Sequence, residues 1–220
     1  MSRPWITLAS EATAEGALEL RQRGEDYLIT IAGRILMSSR THRSEDDLAQ
    51  LACAELVDRP RARVLVSGLG LGFTLRAALD ALGPAAHVTV AELNPIVVAW
   101  CRGPLTALNA SAALDPRVHI EVQDVAATIA HAGRRPETRF DAIILDMYEG
   151  PHHTVKPADP LYGPAAVARV RSALQPGGIF AVWGESESAG FEQSLRQAGF
   201  RHRRVRAGHG GSIYTIYLAK

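Results

Sequence analysis

The chain has 220 residues, with 24 basic against 23 acidic side chains for a formal charge of +1, and it is 47% hydrophobic and only 6% aromatic. That composition excludes a disordered or fibrous chain, and the length allows one principal core with a small appendage. A near-neutral balance also argues against nucleic acid or a membrane surface as partner, because such affinity rests on an excess of positive charge.

Cys53 and Cys101 are the only cysteines. Both fall in helical patterns, so neither a disulfide framework nor a zinc ligand set is expected, and a reducing cytoplasm is the expected compartment. The opening Met1-Ser2-Arg3-Pro4-Trp5 is not a basic start followed by an apolar stretch. No window approaches the ~18 consecutive apolar residues that span a bilayer, so neither export nor membrane insertion is expected.

Residues 17–39 alternate in period two, with Arg23-Gly24-Glu25-Asp26 and Ala32-Gly33-Arg34 as turns, which predicts a small antiparallel N-terminal sheet. A helix then follows Ser44-Glu45-Asp46-Asp47, with Ser44 as its cap, acidic residues in its first turn and Leu48, Leu51, Ala52 and Leu56 on one face. From residue 63 short apolar strands alternate with helices, the pattern of a parallel sheet covered on both faces. The predicted strands are 63–67, 87–92, 118–122, 140–146 and 178–184, and the helices 73–82, 95–108, 125–132 and 163–174. Gln175-Pro176-Gly177-Gly178 ends the last of these. A helix at 188–198 precedes strands at 203–206 and 212–219, too close together for a crossover and therefore antiparallel. Five parallel strands closed by an antiparallel pair describe an α/β fold of the class I methyltransferase type.

The strongest functional signal is Ser67-Gly68-Leu69-Gly70-Leu71-Gly72, a glycine-rich turn between an apolar strand and a helix. Glycines let a ligand lie against main-chain amides at the strand's carboxyl end. Phe73 stands where a dinucleotide fingerprint needs its last glycine, and the Gly-Lys-Ser/Thr ending of a P-loop is missing. Glu92 closes the next strand and is placed to accept from ribose hydroxyls, with Leu93 beside it. Asp124 closes the third, with Val125 beside it, and either accepts from an adenine amine or caps the following helix. Asp146 closes the fourth. Three carboxylates around one crevice are costly without a cation or hydroxyl donors, and a sulfonium nucleoside supplies both.

These residues resemble the spermidine-synthase-like branch of class I S-adenosylmethionine-dependent transferases, from the N-terminal hairpins through Gly184. The resemblance implies a Rossmann-like domain over 60–220, preceded by a β-hairpin region at 1–43 and a linker helix at 44–59, and a homodimer. Gly68, Gly70, Gly72, Glu92, Leu93, Asp124, Val125 and Asp146 are then the nucleoside-binding residues, and Asp146-Met147-Tyr148-Glu149-Gly150-Pro151 stands where the family has its D-x-x-D catalytic loop, with Glu149 in place of the second aspartate. Asp146 is expected to receive or orient the proton of an amine acceptor, with Tyr148 and Glu149 lining its pocket. No metal is expected; His152 and His153, being adjacent, point in different directions.

Two further departures bear on the reaction. The family's loop aspartate, which holds the amine of decarboxylated S-adenosylmethionine, has no counterpart in Gly68–Gly72. The polyamine-groove glutamine and tyrosine have none in Met37–Ser44. The expectation is therefore a transferase acting on a small-molecule acceptor, by methyl transfer from S-adenosylmethionine, with aminopropyl transfer from the decarboxylated donor as the alternative and a non-catalytic nucleoside-binding protein as a third reading. The loop 150–162 is expected to cover the acceptor. The basic run Arg201–Arg206 reads as a charged edge strand rather than an RNA site.

Overall fold

The computed structural model describes residues 3–207 and 213–220. Strands β1 (Ile6–Thr13), β2 (Gly16–Arg23), β3 (Asp26–Ile31) and β4 (Arg34–Ser38) form an antiparallel sheet in that order. Leu20 lies opposite Ile29 and Leu18 opposite Ile31, so the period-two pattern turns all four toward the core, where they are buried. Strand β1 was not anticipated. It is largely exposed and its register is broken between Thr7 and Ala9, so it joins the sheet through its backbone without an apolar stripe.

Helix α1 (Arg43–Cys53) has His42 rather than Ser44 at its N-cap, two residues earlier than expected, and it stops at Cys53 rather than 59, followed by a single tighter turn at Ala54–Leu56. The His42 carbonyl accepts from the amides of Glu45 and Asp46. Its ring stacks on Phe73 at 4.0 Å and bonds Asp46 at 2.8 Å, which holds the chain at that point. Ser44 is inside the helix and donates to Glu45 instead of capping.

The larger sheet holds β5 (Arg63–Ser67), β6 (His87–Glu92), β7 (Val118–Val122), β8 (Phe140–Leu145), β9 (Leu174–Gly184), β10 (His202–Ala207) and β11 (Tyr214–Ala219), in the order β10-β11-β9-β8-β5-β6-β7. Strands β7, β6, β5, β8 and β9 run parallel, while β11 pairs antiparallel with both β9 and β10. Val64, Leu65, Val66 and Ser67 are all buried, as expected of a strand covered on both faces. One core gathers α1, α2 (Phe73–Ala81) and α3 (Pro95–Arg102) with the small sheet; the other gathers α4 (Val125–Ala132), α5 (Pro164–Ala173) and α6 (Ala189–Gln197).

Two boundaries in the larger sheet's part of the chain differ clearly from the sequence reading. Helix α3 stops at Arg102 rather than continuing to 108, because Pro104 lacks an N–H and restricts Gly103 before it. Strand β9 begins at Leu174, which pairs with Phe140, and the Pro176-Gly177-Gly178 segment forms an irregularity before pairing resumes at Ile179. The expected start of the last strand at Ser212, and the turn before it, lie outside the described residues. Among the described residues no helix is long and apolar enough to cross a membrane.

The order of strands reverses at β5, whose chain continues to β6 on one side and returns through β8 on the other. Open α/β sheets bind ligands in the crevice at such a point. The small sheet forms a roof here: Leu18, Ile29, Leu36 and Met37 line the same cavity as Gly68, Glu92 and Asp146.

Candidate functional site

Gly68, Gly70 and Gly72 take φ of +71°, +49° and +88°, a region that L side chains rarely enter. The turn is held by its own amides: Gly68 donates to the Ala91 carbonyl at 2.8 Å, Gly72 to that of Leu69 at 2.7 Å, and Leu71 to the Met37 thioether at 3.1 Å. A Cβ on Gly70 would stand 2.7 Å from Met37 Sδ. Gly70→Ala is therefore expected to push Met37 off the turn and to weaken nucleoside binding by at least about tenfold, from backbone strain of ~1–3 kcal/mol together with the lost contact. Titration calorimetry with 5′-methylthioadenosine measures it.

Glu92 is only 6% exposed. One carboxylate oxygen accepts from Leu69 N–H and the other from Asn94 N–H, both at 2.8 Å. It thus pins the glycine turn while lining the cavity, and each oxygen retains a lone pair for a hydroxyl donor. Asp124 caps α4 by accepting from Ala126 N–H at 2.8 Å, so the capping use holds, and the residue also borders the cleft. Val125 is buried, whereas Leu93 is 68% exposed. Of the residues that the sequence assigned to a nucleoside, Gly68, Glu92, Leu93, Asp124, Val125 and Asp146 line a cavity of about 600 Å³, whereas Gly70 and Gly72 do not line it and Gly72 packs against Asn109.

Asp146 follows the end of β8. Its amide donates to Ser67 Oγ at 3.0 Å, and its carboxylate accepts from the Thr74 hydroxyl of α2. Burial, and then the nearby Glu45 carboxylate, push its pKa up to about 7, with the Thr74 bond working the other way. Glu45 is 9% exposed and is likewise raised, chiefly by burial. Both carboxyls line an inner cavity of about 190 Å³ together with Glu92, apolar side chains and the glycine turn. No lysine, arginine or histidine is among its lining residues.

A larger cavity of about 720 Å³ opens beside it, lined among others by Glu45, Tyr148, Glu149, His152, Trp183 and Glu185. Tyr148 is 46% exposed and Glu149 is also exposed. The 150–162 loop contributes His152 and His153 to this cavity, and Asp159–Tyr162 to the 600 Å³ one. His152 Nδ1 accepts from Thr154 N–H, and His153 Nδ1 lies 3.3 Å from the Glu187 carbonyl. The described residues contain no cluster of metal-ligating side chains.

Glu45, Met37, Thr74 and Trp183 were not picked out from the sequence. Glu45 read as an ordinary first-turn acid, and only the docking of α1 against the sheet turns it inward. The indole N–H of Trp183 is buried without a partner at the boundary of the inner and larger cavities. The basic residues before α1 stay outside: Arg40 pairs with Asp26 at 3.0 Å and His42 packs on Phe73. On edge strand β10, Arg204 pairs with Glu187 and Glu192, and His202 lies 3.6 Å from Glu192, which offsets part of that positive charge.

Residues 46–197 match the family model described as "Spermine/spermidine synthase domain". A polyamine aminopropyltransferase of Mycobacterium tuberculosis is 30% identical over 180 residues, which are 80% of this chain and 32% of that protein. The chain therefore spans about a third of the length of that relative. Among solved structures, spermidine synthase from Thermotoga maritima superposes with a TM-score of 0.76 at 17% identity, over 97% of this chain and 72% of that one. Human methyltransferase-like protein 13 in complex with SAH gives 0.59 at 22% identity, over 80% of this chain and 79% of that one. These two likenesses are of fold.

Proposed function

Because the chain belongs to the spermine/spermidine synthase family, we propose that it is an aminopropyltransferase that uses decarboxylated S-adenosylmethionine and an amine acceptor. The methyl transfer favoured by the sequence reading gives way to this alternative, since the matching relatives are aminopropyltransferases. The carrying observation is the inner cavity, with three carboxylates and no cationic group among its lining residues. Such a space favours a sulfonium with an ammonium-bearing chain and disfavours the extra carboxylate of ordinary S-adenosylmethionine.

In the proposed reaction the neutral acceptor nitrogen forms a bond to the aminopropyl methylene attached to sulfur, that carbon–sulfur bond breaks with its electron pair going to sulfur, and 5′-methylthioadenosine leaves. Glu92 and the glycine turn hold the nucleoside, and the larger cavity aligns the acceptor behind the reacting carbon, which is the main source of rate in a substitution of this kind. Asp146, when ionised, accepts the proton from nitrogen. Tyr148 and Glu149 border the acceptor, Glu149 retaining a cationic far end. A homodimer is part of the same proposal.

The test incubates the chain with each donor and a panel of amines and follows products by mass spectrometry. A gain of about 57 Da with release of 5′-methylthioadenosine is expected under the positioning mechanism above. A gain of about 14 Da with ordinary S-adenosylmethionine would restore methyl transfer.

A further inference from the structure

The proposed reading leaves one part of the donor without a named partner: the ammonium at the free end of its three-carbon chain. We infer that Glu45, on helix α1, is the positioning residue that holds this ammonium. The inference rests on that reading of the site and extends it to a residue from outside the large sheet.

The inner cavity is long on apolar wall, with Leu18, Ile29, Leu36, Met37 and Val97, which suits a run of methylenes. Glu92 is committed to two backbone amides at the ribose side, and Asp146 faces Thr74 where β8 ends. The glycine turn itself carries only glycine and leucine. Among the residues shared by the inner and the larger cavity, Glu45 is the single carboxylate. It therefore stands where the chain of a donor seated in the inner cavity would end.

Its support is rigid. Leu48, Ala49 and Ala52 have no exposed surface and anchor α1 in the core, and the Ser44 hydroxyl donates to Glu45 Oε2 at 2.5 Å. A helix-terminal acid acting only on the backbone dipole would be as well placed in solvent. Glu45 is instead buried and within electrostatic reach of Asp146. Such an arrangement is unfavourable until a cation enters between the two carboxyls.

The experiment measures, by titration calorimetry on the full chain, the affinity of three probes for wild type, Glu45→Gln and Glu45→Asp. 5′-Methylthioadenosine has neither charge, the 5′-dimethylthioadenosine sulfonium has the sulfur charge alone, and decarboxylated S-adenosylmethionine has both. Glu45→Gln is expected to weaken the full donor by roughly 10- to 100-fold, the range for a charge-assisted hydrogen bond, and to leave the other two within about twofold. Glu45→Asp should recover part of the loss, and the acceptor KM should stay close to wild type.

Unchanged donor affinity in Glu45→Gln overturns the inference, as does an equal loss for the dimethyl sulfonium, which would mean that Glu45 reads the sulfur charge. A rise confined to the acceptor KM also overturns it. Retained methylthioadenosine affinity shows that the variant folds. If wild type binds none of the three probes, the functional reading falls first and this inference with it.

Discussion

Asp146→Asn is expected to lower the transfer rate by at least about 100-fold, the usual loss when a positioned proton acceptor is removed, and at the same time to make the unliganded protein more stable above neutral pH. The two effects share one cause. Burial and the Glu45 carboxyl raise the Asp146 pKa from 3.8 to about 7, so folding favours its protonated form. A raised folded pKa means that this contribution is complete below about pH 4, where both folded and unfolded states carry the proton. It is then lost progressively as pH rises to about 7.

The side chain keeps a part-open edge on the cleft, so the total is on the order of 2–4 kcal/mol. Asparagine has no proton to lose. Thermal unfolding at pH 5 and pH 8 should show wild type falling with pH more steeply than the variant, with the curves crossing below pH 8. In the same window, kcat/KM of the wild type should rise with pH through the ionisation of the free enzyme's base. Parallel melting curves for the two proteins would refute the assignment.

The second large effect is expected at Glu92. Glu92→Ala leaves the amides of Leu69 and Asn94 without their acceptor, at a cost of ~1–3 kcal/mol for each group left unsatisfied. Donor affinity should fall by more than about 100-fold, because the ribose contacts and the pinned glycine turn go together. Glu92→Gln keeps one oxygen acceptor and should fall between. Hydrogen exchange distinguishes this from loss of a ligand contact alone: protection at Leu69 and Asn94 should drop in the unliganded alanine variant. Unaltered protection would reduce Glu92 to a contact residue.

The centre of the large sheet was legible because its strands are short, apolar and mostly buried, so Arg63–Ser67 and His87–Glu92 could be bounded from local pattern. The edge strand Val118–Val122 is half-exposed and was bounded by its place in the alternation of strands and helices. The glycine turn and the carboxylates at the strand tips followed from position within that pattern. What escaped depends on contacts between distant segments. Ile6–Thr13 has no apolar alternation, since it is mostly solvent-facing. The early stop of α3 was written in Gly103-Pro104, and the rule for residues before proline was enough to find it. Nothing local distinguishes Glu45 from Asp46 and Asp47; only the docked helix turns one of the three inward. Met37 and Thr74 likewise gain their roles from the partners across the cleft.

The roof over the cleft has a thermodynamic implication. Leu18, Leu20, Ile29 and Ile31 bury themselves in the core shared with α1 and α2 rather than in one of their own, and a few antiparallel strands with one greasy side are marginal in isolation. The recognition surface hence exists only in the fraction of molecules whose first forty residues are seated. Apparent affinity is the intrinsic value scaled by that competent fraction, so substitutions on the seam, remote from every reacting atom, would tune substrate capture.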